Sequence, residues 1–446
     1  MRREFDSRIP LHHIPLEHTE GDVLELDRID STQDEQEALF ADLATYRQKL
    51  RALRAAPSDE SEFSITLPDV DQAVPRNRAL AAQYQDVAWV FLVGIGGSNL
   101  GTLAVHQALF GTQANLVRTP KLIPVDTVDG VVASQAVALL VAAVRANERV
   151  LVIVASKSGS TTETVANAEV LLQALMDEGG SIRESVVVIS DLGSALYELA
   201  QQQQIPLVRS PRLVGGRYSV FSDVGLFPLT VLGVPIEELL VGARAALDAG
   251  LSDTYEHNLA AQHAIAILSG YRAGKPIHDL FCFAPSLELY GKWFRQLMGE
   301  SVGKRSDAGI FPSVSIGSTD LHSVAQLYLA GPDTALTTFV RVRAQTGMTL
   351  PPSSVLASLV PNLEGQPLHV VADAILDGTR HAYREAGRMF CTITVPRLDA
   401  RSIGELMQQH MLTMMYLAQL LKVDAFDQPA VELYKKETRR ILARSH

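Results

Sequence analysis

One segment constrains the fold more than any other: RVLVIVASKSGSTTETVANAEVLLQALMDEG, residues 149–179. It opens on a continuous run of Val, Leu and Ile, passes through a hydroxyl-rich turn and ends in a stretch with helical periodicity. A strand that is apolar on both faces must be covered on both faces. In a parallel sheet the crossover helices supply that cover. The same order recurs in VAWVFLVGIGGSNLGTLAVHQALFG, in KLIPVDTV with VVASQAVALLVAAVRAN, and in the strand ESVVVISD. Repeated strand–turn–helix units predict an α/β fold with parallel sheets wrapped by helices.

A second block with this grammar begins near residue 260. AQHAIAILSGYRAG, SLELYGKWFRQLMGE and STDLHSVAQLYLAG read as helical, and PNLEGQPLHVVADAILDGTRHAYREAG as mostly helical. KPIHDLFCFAP, TALTTFVRVRA and RMFCTITVPRLD read as strands. The C-terminal stretch reads as two helices joined at Asp424–Pro429. Before the first block, DSTQDEQEALFADLATYRQKLRALRAA reads as a polar-faced helix and PSDESEFSITLPDVDQAVPRN as loop. A chain of 446 residues exceeds one ordinary core. The expected organisation is an N-terminal helical segment over 1–75, α/β domains over 76–255 and 256–422, and a tail over 423–446. No short-period repeat is present.

With 47% hydrophobic and 20% charged residues the composition is globular. The net charge of −11 and the lack of a long basic run argue against nucleic acid as partner. The N-terminus MRREFDSRIPLHH has no apolar core of a secretory signal. GVVASQAVALLVAAVRA, interrupted by Ser134 and Gln135, is too short for a membrane span. Cys282 and Cys391, far apart in apolar runs, read as buried thiols of a cytoplasmic protein. No His, Cys or carboxylate spacing points to a metal.

Ligands of open parallel sheets bind beyond the carboxyl ends of the strands, so the turns hold the chemistry. GIGGSNLG (94–101) is either a tight turn or a place where backbone amides approach a ligand. It has no lysine for a nucleotide loop, and Asn99 stands where a dinucleotide fingerprint needs a small residue. In the hydroxyl-rich turn, Ser160 and Glu163 have capping-box spacing, which predicts Ser160 as the helix N-cap. Ser156, Ser158, Thr161 and Thr164 are left to meet a phosphate monoester at a helix N-terminus. GGRYS delivers Arg217 after Gly215 and Gly216. MGESVGK places Glu300 at a helix end, STDLHS carries His322, and FDQPAVELYKK sets Gln428 and Lys435 two helical turns apart.

GIGGSNLG, SKSGSTTET, GGRYSVFSDVG, MGESVGK, STDLHS and FDQPAVELYKK follow one another in the order found in the phosphoglucose isomerase family. The chain resembles that family over about residues 90 to 440, and its length matches the compact bacterial form. The resemblance implies two sugar-isomerase (SIS) domains with a C-terminal helical tail and a homodimer. It implies no cofactor and no metal, with a phosphosugar as substrate. Its reaction is glucose 6-phosphate–fructose 6-phosphate isomerisation through a cis-enediol, a step of glycolysis and gluconeogenesis.

By position, Glu300 matches the family's base, Arg217 the arginine beside the enediolate and Gln296 a substrate-contacting glutamine. Ser156, Lys157, Ser158, Thr161 and Thr164 match the phosphate site; Gly97, Ser98 and Gly216 line the sugar side. His322 matches the ring-opening histidine, which the family takes from the neighbouring subunit. Gln428 and Lys435 match the tail residues at the sugar ring. Asn99, Arg212 and Asp223 depart from the family pattern. A relaxed glucose/mannose-6-phosphate isomerase would be much shorter. A non-catalytic sugar-binding regulator would not need Glu300, His322 and Lys435 together.

Overall fold

The computed structural model describes residues 24–27, 32–344, 347–352, 355–356 and 359–444. The charged N-terminus read above for a secretory signal lies outside the described residues. Among the described residues, ten strands form two sheets: β1 Glu25–Asp27, β2 Val87–Val93, β3 Lys121–Val125, β4 Arg149–Ala155, β5 Val186–Asp191, β6 Leu207–Ser210, β7 Ile277–Cys282, β8 Phe311–Ile316, β9 Ala335–Ala344 and β10 Phe390–Arg397. The first sheet, ordered β3-β2-β4-β5-β6, is parallel throughout. The second is ordered β1-β10-β9-β7-β8, with only β1 antiparallel.

Alternation along the strands explains why the first sheet needs both faces covered. Val90, Leu92, Leu151 and Ile153 enter one apolar cluster, while Phe91, Val93, Val152 and Val154 enter another on the opposite face. Each strand end then delivers its turn to the same rim of the sheet. That geometry gathers the turns into a site.

Helix Ala400–Leu421, buried along nearly its whole length, lies against helix Ile236–Gly250. Two glycines set that spacing. A Cβ on Gly242 would stand 1.8 Å from the Arg401 carbonyl oxygen, and one on Gly404 1.9 Å from that of Leu239. Both helices enter one apolar core with Leu280 of β7, Val340 of β9 and Ile393 of β10. Ala104 and Val105, from the helix after β2, join the same core and so link the first sheet to the second.

Several local expectations change. The polar-faced helix is two helices, Gln33–Asp42 and Ala44–Ala55, broken at Leu43. The expected loop contains the 3₁₀ turn Phe63–Asp69 and the start of helix Ala73–Ala81. STDLHSVAQLYLAG is a 3₁₀ turn, Thr319–His322, followed by helix Ala325–Ala330. The tail is two helices, as expected, with Val431–Leu442 the second.

Candidate active site

Arg217 lies at the centre, in the 3₁₀ turn Gly216–Tyr218, with 1% of its surface exposed. A buried guanidinium stays charged, so its donors need acceptors. Nε donates to Ser301 Oγ at 3.0 Å, and Nη1 to Glu300 Oε2 at 3.0 Å and to Gln428 Oε1 at 3.2 Å. Nη2 meets the carbonyl oxygens of Ala425 and Asp427. From behind, Trp293 Nε1 donates to the Arg217 carbonyl at 3.2 Å, and Tyr218 OH meets Ser301 Oγ at 2.8 Å.

Glu300, Gln296, Ser301 and Trp293 share helix Glu288–Val302. Gln296, one turn before Glu300, donates through Nε2 to Glu300 Oε1 at 3.0 Å. Each carboxylate oxygen therefore has its own donor. The side chain is still 30% exposed, within reach of a ligand.

The glycines of GIGGSNLG and GGRYS have a steric reason. A Cβ on Gly97 would stand 2.1 Å from the Gly216 carbonyl carbon and 2.4 Å from the Arg217 nitrogen. The backbones of the two turns touch, and Ser219 Oγ donates to the Gly97 carbonyl at 3.2 Å. Asn99, which departs from the family pattern, is buried and turns its amide to Asp126 at 3.4 Å. Asp223, another departure, accepts a two-pronged bond from Arg76 and a third from Asn77.

Beside this centre lies a small cavity lined by Ser98, Ser156, Lys157, Ser210 and Gly216. Ser156 is buried and its Oγ lies 3.0 Å from Thr161 Oγ1. Thr164 is buried in the first turn of helix Thr162–Asp177, and among the described residues its hydroxyl has no hydrogen-bond partner. Ser158 is exposed and accepts from Ser160 N at 3.4 Å. Lys157 donates to the Val214 carbonyl at 3.0 Å. Burial holds its ammonium below the usual lysine range, against the pull of Asp191. Hydroxyls, a lysine and free amides at a helix N-terminus can hold a phosphate.

Two expectations fail locally. The N-cap of helix Thr162–Asp177 is Thr161, with no side-chain cap bond, so the Ser160–Glu163 capping box does not form. The helix starts later than the spacing predicts, leaving Ser160 exposed beneath Arg439, whose Nη2 lies 3.4 Å from its hydroxyl. Gln428 precedes helix Val431–Leu442 and does not share a helical face with Lys435. Arg217 captures Gln428, whereas Lys435 pairs with Glu432 at 2.8 Å. His322 is exposed on the turn after β8. Among the described residues, no hydrogen bond joins His322 or Lys435 to Arg217 or Glu300. Ser301, Trp293 and Arg439 carry no sequence signal that would have singled them out.

The sequence profile described as phosphoglucose isomerase matches residues 69–321. The chain belongs to the phosphoglucose isomerase family. A probable glucose-6-phosphate isomerase of Haloarcula marismortui is 34% identical over 364 residues, covering 81% of this chain and 79% of its relative. A hypothetical protein from Thermus thermophilus shares the fold, with a TM-score of 0.83 and 29% identity over 94% of this chain and all of its own. A glucose-6-phosphate isomerase from Chlamydia trachomatis shares the fold with a TM-score of 0.77 at 20% identity, over 95% of this chain and 89% of its own. No described helix is long and apolar enough to cross a membrane.

Proposed function

We propose that this chain performs its family's reaction, the interconversion of D-glucose 6-phosphate and D-fructose 6-phosphate, with Glu300 carrying the proton. The observation behind the assignment is the double hold on Glu300. Gln296 and Arg217 each fix one oxygen, so the carboxylate is oriented while remaining accessible. In the forward direction Glu300 takes the proton from C2, and the C2–H electron pair becomes the C1=C2 bond. The C1 oxygen gains a proton to give a cis-enediol. Glu300 then returns its proton to C1 while the C2 hydroxyl loses one and becomes the carbonyl. Arg217 stabilises the negative charge that develops on the enediolate oxygens.

The phosphate is held by Ser156, Ser158, Thr161 and Thr164 with Lys157 nearby, remote from the reacting carbons. Its binding energy positions the sugar without changing the chemical step. Gly97, Ser98 and Gly216 border the sugar, and Gln428 faces it from the tail. Ring opening needs an acid and a base, which we assign to His322 and Lys435. His322 comes from the neighbouring subunit of a homodimer. Its exposure supports that reading, as do the exposed Leu433, Tyr434, Ile441 and Leu442 of the tail helix. Residues 76–255 and 256–422 serve as the two domains, and the protein works in the cytoplasm.

Glu300→Gln tests the base. The amide keeps the shape but accepts no proton, so kcat and tritium exchange at C2 should fall by roughly a thousandfold or more. Substrate affinity, read by calorimetry, should stay within about threefold. Near-normal turnover in that variant would remove Glu300 from the mechanism.

A further inference from the structure

Asp279 lies in β7 of the second sheet, fully buried. An apolar side chain would pack there without the cost of taking a carboxyl out of water. Its surroundings indicate what offsets that cost. Asp279 Oδ1 accepts three hydroxyls: Ser313 Oγ at 2.5 Å, Ser315 Oγ at 3.1 Å and Tyr328 OH at 3.2 Å. Ser315 Oγ and Tyr328 OH also meet each other at 3.0 Å.

Ser313 and Ser315 belong to β8, paired in register with β7, and Tyr328 belongs to helix Ala325–Ala330. Between them runs the turn 317–324, which carries His322. One carboxylate oxygen thus ties down the strand entering that turn and the helix leaving it.

The turn is braced inside as well. Asp320 Oδ2 accepts the Ile316 amide at 2.7 Å, and Oδ1 accepts Ser323 Oγ at 2.9 Å. The ring of Phe283 presses on Gly317 so closely that a Cβ there would lie 2.7 Å from it. Burial raises the Asp279 carboxyl above its usual range, while the three hydroxyls pull it down. Among the described residues, no hydrogen bond joins this network to Arg217, Glu300 or the hydroxyl-rich turn of the first sheet.

We propose that Asp279 is a positioning residue for the isomerisation: through Ser315 and Tyr328 it fixes the turn that presents His322 to the active site. This rests on the reading of His322 as the ring-opening group. The phosphate and enediolate contacts come from other elements. Loosening the clamp should therefore impair turnover of ring-closed sugars and leave binding of an open-chain ligand intact.

The test uses the full-length protein as Tyr328→Phe, Asp279→Ala, Asp279→Asn and His322→Gln. Each is assayed for kcat with glucose 6-phosphate and for affinity toward a five-carbon aldonic acid phosphate, which has no ring to open. Tyr328→Phe, which loses only a hydroxyl, and Asp279→Ala should lower kcat roughly ten- to a hundredfold. Both should bind the acyclic acid within about twofold of the parent. Asp279→Asn, which keeps an acceptor oxygen, should recover most of what Asp279→Ala loses. If His322→Gln lowers kcat but Tyr328→Phe and Asp279→Ala do not, the clamp is refuted and the role of His322 stands. If the clamp variants lose inhibitor binding together with kcat, Asp279 serves only folding, and the inference fails. If His322→Gln is as active as the parent, the reading of His322 fails first and takes the inference with it.

Discussion

Arg217 makes the site one object: its guanidinium bonds Ser301, Glu300, Gln428 and two tail carbonyls at once. Only a planar fork with five donors can meet acceptors on so many sides, and an ammonium is a single point. Arg217→Lys should therefore keep the charge yet lower kcat on the order of a hundred- to a thousandfold. Steady-state kinetics would show that fall in kcat and kcat/KM together, and an unchanged kcat would sink the role given to the fork. At this scale the sequence was readable where a motif carried the residue. Glu300 and Arg217 stand in ordered motifs and Gln296 was placed by its position on the helix of Glu300, and the three meet in the fold; the contact of Gly97 with Gly216 had no reading in the sequence. Ser301 and Trp293 were not readable, because a helical Ser or Trp looks the same in sequence whether it packs or positions a neighbour.

Among the elements, the final helix is lightly held: helix Val431–Leu442 buries none of its residues. Its reach to the hydroxyl-rich turn is Arg439, 3.4 Å from Ser160 Oγ and 3.5 Å from its carbonyl. That brings a second cation to the turn that carries Lys157. Arg439→Ala should raise KM for glucose 6-phosphate a few-fold with little change in kcat, and the gap should narrow as salt screens the charge. A KM that is unaffected at low salt would count against the idea. Strands of continuous Val, Ile and Leu were legible, as β2, β4 and β5 show. β6 is only four residues long, and β8 reads FPSVSI, with a proline and two serines. Both are edge strands, where proline and polar residues are tolerated, so the apolar signal is absent. β1 was hidden for a related reason: ELD has no strand pattern and is held by pairing with β10.

Across the whole molecule, stability against pH reflects a few buried groups. His263, His278 and His410 come from two helices and β7 to meet in the second-sheet core; Thr338 touches the first two. Burial keeps all three neutral, with His278 and His410 pushed down to about 3. In the unfolded chain they take up protons as pH falls below about 6.5, so their contribution is lost on acidification. Glu405 acts in the opposite sense. Burial raises it to about 7, so its contribution is full below about 4.5 and lost as pH rises through 7. Three histidines outweigh one glutamate. Between about pH 4.5 and 6.5 these four groups alone should make stability rise by roughly 2–3 kcal/mol per pH unit. Urea titrations would measure that slope. Glu405→Gln should be more stable than the parent at pH 8 by about 3 kcal/mol and equal to it near pH 4.5. The reverse order would refute the assignment. The two-block architecture was legible because it rests on repetition, whereas these groups look like any other His or Glu until the fold encloses them.

The tail has a last consequence, in the time course of synthesis. Arg217 is translated before the midpoint of the chain, but its partners Ala425, Asp427 and Gln428 come about two hundred residues later. While a ribosome is still making the second sheet, the guanidinium has no tail to bond. A prematurely released chain, however well its first sheet has formed, would be catalytically silent.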